Sequence, residues 1–192
     1  MLNTYNAAQP ELPEGAIVVA TSGHERRVEL KGEAYFEVSH DKRHPFIVVT
    51  EYLTTKVLGT VFNVRAFSAK DASVVLVDGS VAVGDRLLQP GQMASLSQGA
   101  IVTADIDTYP FTQRKEGFFY FHDAPLVLIM GEIGRWYNKT VVFEDQNALN
   151  VHLHFVAERS LALNEVLSQL DGIDGVKIVQ EKDGTVVVKR EF

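Results

Sequence analysis

Cysteine and long apolar runs are both absent from this 192-residue sequence. Without cysteine the chain can form neither a disulfide framework nor a thiolate zinc site, and it has no Cys nucleophile. No apolar run approaches the roughly 18 residues that cross a bilayer, and the opening Met1–Tyr5 lacks the basic and apolar regions of a signal peptide. We therefore expect the chain as it stands to be soluble, with any export signal or membrane anchor lying upstream of it.

An excess of positive charge is also missing, because the formal net charge is -7. A nucleic-acid backbone would meet net repulsion, and the basic pairs Arg26-Arg27 and Lys42-Arg43 are too small to make a binding patch. Apolar residues make up 46% of the chain, which is enough for a sizeable core. The composition thus indicates a folded acidic protein with no nucleic-acid partner.

The common catalytic signatures are missing as well. The sequence has no G-x-S-x-G elbow, no phosphate-binding P-loop, no G-x-G-x-x-G after a strand and no H-E-x-x-H zinc motif. We expect no cofactor, no small-molecule substrate and no enzyme activity beyond the self-cleavage considered below.

The first hundred residues have the pattern of short strands separated by turn residues such as Asp78-Gly79 and Pro90-Gly91. This pattern favours a sandwich, a barrel or a solenoid-like wrap, and it does not choose among them. The predicted strands are Ala16–Ala20, Arg27–Leu30, Ala34–Val38, Phe46–Thr50, Thr54–Leu58, Val61–Ala66, Val74–Val77, Val81–Val83 and Met93–Leu96.

After Pro110 apolar residues recur at helical spacing between strands. A strand at Phe118–Phe121 precedes a helix for which Asp123 is the expected N-cap, with Pro125 in the first turn. The apolar positions of this helix follow i, i+3, i+4, i+7 and i+11, so they lie on one face. These positions are Leu126, Ile129, Met130, Ile133 and Tyr137.

A second helix, with Ser160 as the expected N-cap, repeats this plan. Its stripe runs from Leu163 to Leu170, and the helix is expected to end near Gly172. The remaining predicted strands are Thr140–Phe143, Val151–Val156, Val176–Gln180 and Thr185–Lys189, with Asp183-Gly184 as a hairpin turn. The fold class predicted is α+β: an all-β domain at residues 1–110 and a βαββαββ module at residues 115–192.

Several segments resemble the FecR family of periplasmic anti-sigma regulators. The run Val28–Val38 and the run Val57–Val64, which reads VLGTVFNV, follow the order of the FecR domain. Val77–Val83 and Leu88–Gln92 are similar to the family's "EGxVxV" and "LxPGxQ" segments. Residues 118–137 resemble the C-terminal domain that follows FecR domains in Bacteroidetes-type members.

The resemblance implies a three-part signalling protein. In such families a cytoplasmic segment holds an extracytoplasmic-function sigma factor, one helix crosses the inner membrane, and the periplasmic portion meets the signalling domain of a TonB-dependent outer-membrane transporter. Only the periplasmic portion corresponds to this chain, so we expect contact with the sigma factor only through a segment absent here. The module at residues 115–192 is expected to carry the transporter contact and to resemble the short N-terminal domain of secretins and TonB-dependent transporters.

One stretch departs from the family pattern. Leu12–Gly15 resembles the start of a longer family run, but the Asn-Ala-x-Ser and Tyr that should follow are missing before Arg26. One or two strands of the first domain are therefore expected to be shortened.

Gly59-Thr60 is the chemical candidate, because some members of the family self-cleave at a matching Gly-Thr. A Thr hydroxyl can attack the preceding carbonyl and leave a hydrolysable ester, which would make Gly59 the acyl donor and Thr60 the nucleophile. The alternative is structural: Gly59 allows a bulge or a close backbone approach, and Thr60 is an ordinary strand residue.

Two further groups contain residue types that bind metals or partners. His152 and His154 share a strand face, and His122 is a conceivable third ligand, but no carboxylate or thiolate stands at a diagnostic spacing, so we expect no metal site. Trp136 and Tyr137, at the end of the first helix, are the candidate partner-binding residues. A carbohydrate- or ligand-binding β module of the cell envelope is the alternative function.

Overall fold

A computed structural model describes residues 26–190. The chain divides into two compact units, with the boundary between Phe111 and Thr112. The predicted strand Ala16–Ala20 and the departure after Leu12 lie outside the described residues. No helix between residues 26 and 190 has the length and apolarity to span a membrane.

The described part of the first unit contains ten strands arranged in two five-stranded sheets. The strands are β1 (Arg26–Glu29), β2 (Gly32–Val38), β3 (Phe46–Val49), β4 (Thr54–Val57), β5 (Thr60–Ser68), β6 (Asp71–Asp78), β7 (Val81–Val83), β8 (Arg86–Leu88), β9 (Gln92–Ser97) and β10 (Ala100–Asp105). The first sheet has the order β1-β3-β4-β7-β8 and the second has the order β10-β9-β6-β5-β2.

One hydrophobic core serves both sheets. Phe36 of β2 stacks on Phe62 of β5 with ring centroids 5.1 Å apart, and it also meets Phe46 of β3 in the other sheet at 5.7 Å. Val48 and Val74, one from each sheet, are fully buried in the same cluster. Two sheets that share one core form a sandwich, which decides between the alternatives left by the sequence.

The second unit contains two α-helices, two 3-10 helices and two small sheets, and a short helix α1 (Tyr109–Lys115) precedes them. The elements are β11 (Phe118–Pro125), α2 (Leu126–Trp136), β12 (Val141–Phe143), a 3-10 helix (Gln146–Asn150), β13 (His152–Glu158), α3 (Leu163–Leu170), a 3-10 helix (Ile173–Gly175), β14 (Val176–Gln180) and β15 (Val186–Arg190). Strands β11 and β13 form an antiparallel pair, and β12, β15 and β14 form a three-stranded sheet in that order.

The strands and α-helices from β11 onward follow the order β-α-β-β-α-β-β, as the sequence predicts, and the fold class is α+β. The predicted apolar stripe of α2 is buried at Leu126, Ile129, Met130 and Ile133, and all four residues lie in the core of this unit. The stripe of α3 contributes Val166 and Leu170 to the same cluster. Each unit thus has a core of its own.

Both predicted helix caps are wrong. Asp123 lies inside β11 with φ +46°, and the residue before α2 is Pro125, which has no side chain able to accept a hydrogen bond. The residue before α3 is Ala162 and not Ser160, and its backbone N–H donates to Glu165 Oε2 at 2.9 Å. A carboxylate in the first turn thus satisfies the helix start that a serine was expected to cap.

Candidate functional site

The connection that contains Gly59 joins the two sheets of the first unit. Only Leu58 and Gly59 separate β4, in the first sheet, from β5, in the second. A Cβ atom on Gly59 would lie 2.3 Å from His40 Cα and 2.7 Å from His40 Cβ. The absence of a side chain is therefore required for this close backbone approach, as the structural alternative for Gly59 predicts.

Thr60 opens β5 and is 3% exposed. Its hydroxyl donates a hydrogen bond to the Ser80 carbonyl oxygen at 2.8 Å. A carbonyl accepts this hydrogen bond but is too weak a base to remove the proton, so the contact positions the hydroxyl without activating it as a nucleophile.

Gly79 packs against the same Gly-Thr bond. A Cβ atom on Gly79 would lie 2.9 Å from Gly59 O and 3.1 Å from Thr60 Oγ1, and Gly79 has φ +95°. Two segments that carry the family resemblance, Val57–Val64 and Val77–Val83, therefore meet at this point. The sequence pattern identified each segment, but it did not show that Gly79 and Ser80 are the neighbours of Thr60.

Trp136 and Tyr137 lie at the carboxyl end of α2, against the core of the second unit. Trp136 Nε1 donates to Arg159 O at 3.1 Å, and the Tyr137 hydroxyl donates to Leu161 O at 2.7 Å. The Arg159 guanidinium lies 4.6 Å from the centre of the indole ring. Both residues therefore hold the segment that joins β13 to α3, and each is only partly exposed.

The electrostatic surroundings of Tyr137 agree with this position. Burial raises the pKa of its hydroxyl above the ordinary value, the carboxylate of Glu165 raises it further, and the Arg159 guanidinium opposes both. A neutral hydroxyl is the form that donates to a carbonyl, so these effects favour the observed hydrogen bond.

The β11–β13 sheet presents a mixed aromatic and apolar face outward. Residues of β13 alternate strictly between buried and exposed, and Val156 is 42% exposed on the outer side. Phe118 and Tyr120 of β11 are half-buried on the same side, while Phe119 and Phe121 face the core. We call the residues Phe118, Tyr120, His122, His154 and Val156 the outer sheet face.

The start of α2 adds exposed apolar side chains to this unit. Val127 is 38% exposed and Leu128 is 56% exposed. Gly131 follows these residues by about one helical turn. A Cβ atom built on Gly131 would have only the Arg135 guanidinium within 4 Å, so packing inside the unit does not require a glycine at this position. The periodicity of α2 indicated its buried stripe but gave no signal for this exposed group.

The three histidines singled out from the sequence come together on the β11–β13 pair. His122 Nδ1 lies 3.1 Å from His154 Nδ1. His152 Nδ1 lies 3.0 Å from Asp123 O and 3.2 Å from Asp123 Oδ1. Among residues 26–190 no group of three or more histidine, cysteine, aspartate or glutamate side chains is arranged to hold a metal ion.

A shallow polar cavity of about 400 Å³ lies beside the end of α2. Gly131, Arg135, Asn138 and Lys139 contribute to its lining. The cavity is open to solvent, and the lining contains no aromatic ring on which a sugar could stack.

Comparison with known protein families assigns both units. The family described as "FecR protein" matches residues 9–82, and the family described as "FecR, C-terminal" matches residues 118–188. A search of curated proteins finds no match.

Solved structures point to the same class. Two crystal structures of candidate anti-sigma factors from Parabacteroides distasonis share this fold. One is 26% identical with a TM-score of 0.73, and the similarity covers 90% of this chain and 84% of that chain. The other is 27% identical with a TM-score of 0.71, covering 89% and 83% respectively.

The fold and these matches define an anti-sigma regulator. The chain belongs to the FecR family, whose members are membrane-anchored regulators with a periplasmic domain.

Proposed function

We propose that this chain is the periplasmic portion of a transmembrane anti-sigma factor, anchored in the inner membrane in the full-length protein. It relays a signal from a TonB-dependent outer-membrane transporter to an extracytoplasmic-function sigma factor by protein contact. The observation that supports this most is the ordered match of a FecR domain and a FecR C-terminal domain to the two units. The sigma factor is reached through a cytoplasmic segment outside this sequence.

The second unit is the proposed site of the transporter contact. It carries the outer sheet face, whose apolar and aromatic side chains are of the kind that a protein partner covers, and α2 separately exposes Val127 and Leu128. Strand β13 pairs with β11 alone among the described strands, so its other edge has no strand partner there and is the proposed place for an added strand. Strand addition would supply affinity through the main chain, and the neighbouring side chains would supply selection.

Truncation gives the first test. The complete chain should retain the signalling domain of the transporter encoded beside its gene in a pulldown, and a chain that stops at Pro110 should not. Circular dichroism must show that the truncated chain keeps its β structure. Equal retention by both chains would refute a contact through the second unit.

A pair of matched point variants gives a sharper test. Val156→Glu places a charge on the outer sheet face, whereas Val102→Glu places the same charge at a similarly exposed valine of the first unit, 45% exposed against 42%. We expect Val156→Glu to weaken binding of the signalling domain at least tenfold and Val102→Glu to leave it unchanged. An equal loss in both variants, or in neither, would argue against the outer sheet face.

Self-cleavage at Gly59-Thr60 is a separate hypothesis within this function. The close approach of Gly59 to His40 and the hydrogen bond from Thr60 to Ser80 account for both residue types without chemistry. Intact mass of freshly purified protein decides between the two: fragments that end at Gly59 and begin at Thr60 establish cleavage, and a single full-length species excludes it.

The glycan-binding alternative has its own test. A lectin-like site responds to sugars without any protein partner, so calorimetric titration with a glycan panel separates the two functions. If a sugar binds in the polar cavity, a Lys139→Ala variant, which alters the lining of that cavity, should weaken the binding.

A further inference from the structure

The register of the β11–β13 pair brings two distant histidines face to face. The partners Tyr120↔Val156 and Phe121↔Phe155 are antiparallel, and one further step in this register sets His122 opposite His154. The register shifts immediately afterwards, between Phe121 and Ala124, so His122 lies at a bulge. Bulges redirect side chains and are frequent at functional sites.

The two imidazole rings are held in a defined orientation. His122 and His154 are tilted 79° to one another with centroids 5.2 Å apart, and the Tyr120 ring meets His154 edge-on at 5.7 Å. Next to them, His152 Nδ1 contacts both the carbonyl and the carboxylate of Asp123, which has the left-handed φ of +46°. These contacts fix the bulge that directs His122 toward His154.

The separation of the facing nitrogens suits a shared metal ion. Two imidazole nitrogens bound at about 2.0–2.1 Å to one ion lie roughly 2.9 Å apart at a right angle and roughly 3.4 Å apart at the tetrahedral angle. The distance of 3.1 Å between His122 Nδ1 and His154 Nδ1 is that of a hydrogen bond between the two rings, and it also falls between these limits. A metal ion would take the place of the proton that the two nitrogens share. Because both residues are exposed, water can complete the coordination shell.

We propose that His122 and His154 form a two-histidine binding site for a divalent transition-metal ion. Imidazole nitrogen is a preferred ligand of Zn²⁺, Cu²⁺ and Ni²⁺, and a two-residue site with water ligands suits these ions better than Ca²⁺ or Mg²⁺, which take oxygen. The net charge of -7 favours a cation. The site lies on the outer sheet face, and its existence does not depend on the proposed transporter contact.

The test titrates untagged protein with CuCl₂, NiCl₂ and ZnCl₂ by calorimetry. We expect one ion per chain at this site, and His122→Gln and His154→Gln should each weaken binding at least tenfold. His44→Gln is the matched control, because His44 is also exposed and its Nδ1 pairs with Asp41 Oδ2 at 2.8 Å, but it belongs to the first unit. This control should bind as the unsubstituted protein does.

Electron paramagnetic resonance of the Cu²⁺ complex gives a second readout, which reports the nitrogen ligands of the bound ion and not its affinity. Two nitrogen ligands should give hyperfine coupling in the unsubstituted protein, and one ligand should be lost in either single variant. Unchanged binding in the His122→Gln, His154→Gln double variant would overturn the proposal. An equal loss in His44→Gln would do the same, because it would show that ions bind histidines generally.

Discussion

The Thr60 hydroxyl donates a hydrogen bond to the carbonyl oxygen of Ser80 at 2.8 Å. This contact ties the start of β5 to the turn between β6 and β7, at the place where the chain crosses from one sheet to the other. Since Thr60 is buried, loss of its hydroxyl leaves the Ser80 carbonyl without this partner. The residue has a structural role whether or not the bond before it is ever cut.

Thr60→Val should therefore lower the free energy of unfolding by about 1 kcal/mol, because it removes the hydroxyl and keeps the shape. Thr60→Ser keeps the hydroxyl and should lower the free energy of unfolding by less, because it removes only a methyl group. Urea denaturation followed by circular dichroism measures both. A valine variant as stable as the parent would show that the hydrogen bond contributes nothing.

Gly79→Ala should be among the most damaging changes in the first unit, at about 2–4 kcal/mol. The alanine would carry the left-handed strain of φ +95° and would also place Cβ 2.9 Å from Gly59 O. Gly99→Ala is the control, since Gly99 has φ +80° with no atom within 4 Å of a hypothetical Cβ, and it should cost only about 1 kcal/mol. Thermal denaturation of the two variants side by side separates the cost of the close contact at Gly79 from the cost of the backbone strain that both variants share. Equal losses of stability would mean that the backbone around Gly79 moves aside.

Glu132→Gln should destabilise the second unit by about 2 kcal/mol. Glu132 is 8% exposed, and its Oε1 accepts a hydrogen bond from Arg135 Nη2 at 2.6 Å with Arg114 Nη2 at 3.8 Å. The amide removes the charge between two guanidinium groups. Fluorescence of Trp136, the single tryptophan, reports unfolding of this unit in urea.

The control for this change is Asp174→Asn, in the same unit. Asp174 Oδ2 lies 3.6 Å from Arg190 Nη2, but the Asp174 side chain is 65% exposed, so solvent screens the interaction. Its removal should change stability by less than about 0.5 kcal/mol. A similar small effect at Glu132 would contradict the importance of burial.

Asp171 should make the second unit sensitive to acid. Hydrogen bonds from Lys177 Nζ at 2.7 Å and from the Ile178 backbone N–H at 2.8 Å lower the pKa of this carboxyl, with the Lys177 contact the larger cause. A lowered pKa in the folded state means that the stabilisation is present above the ordinary value of 3.8 and is lost as pH falls through the folded pKa.

Comparison with Asp171→Asn isolates this contribution. At neutral pH the unsubstituted protein should be more stable than the variant by at most about 1 kcal/mol, because both partners are partly exposed. The difference should shrink as pH falls below about 4, which urea titrations at several pH values measure. A difference that stays constant with pH would exclude the carboxylate as its source.

Elements with an apolar pattern of their own were predictable from the sequence. The stripe of α2 and the alternation of β13 each require a buried side, so the sequence alone indicates element type and inward face. Strand β10 was missed because most of its residues are exposed and its pairing with β9 supplies the structure. Helix α1 was missed for the same reason, since none of its residues is buried.

Long-range relationships were beyond the sequence. The sequence indicated that His152 and His154 share a face, but the meeting of His122 and His154 depends on a strand register between residues 32 positions apart. The cap expected at Asp123 failed because β11 continues through the bulge to Pro125. Local residue preferences do not contain the information that sets a register.

Strand β15 lies between β12 and β14, parallel to the first and antiparallel to the second. Residues 186–190 thus pair with two strands that precede them in the chain. During synthesis the three-stranded sheet can form only after residues 186–190 have left the ribosome. Loss of residues 186–190 would therefore leave both β12 and β14 without their strand partner at once.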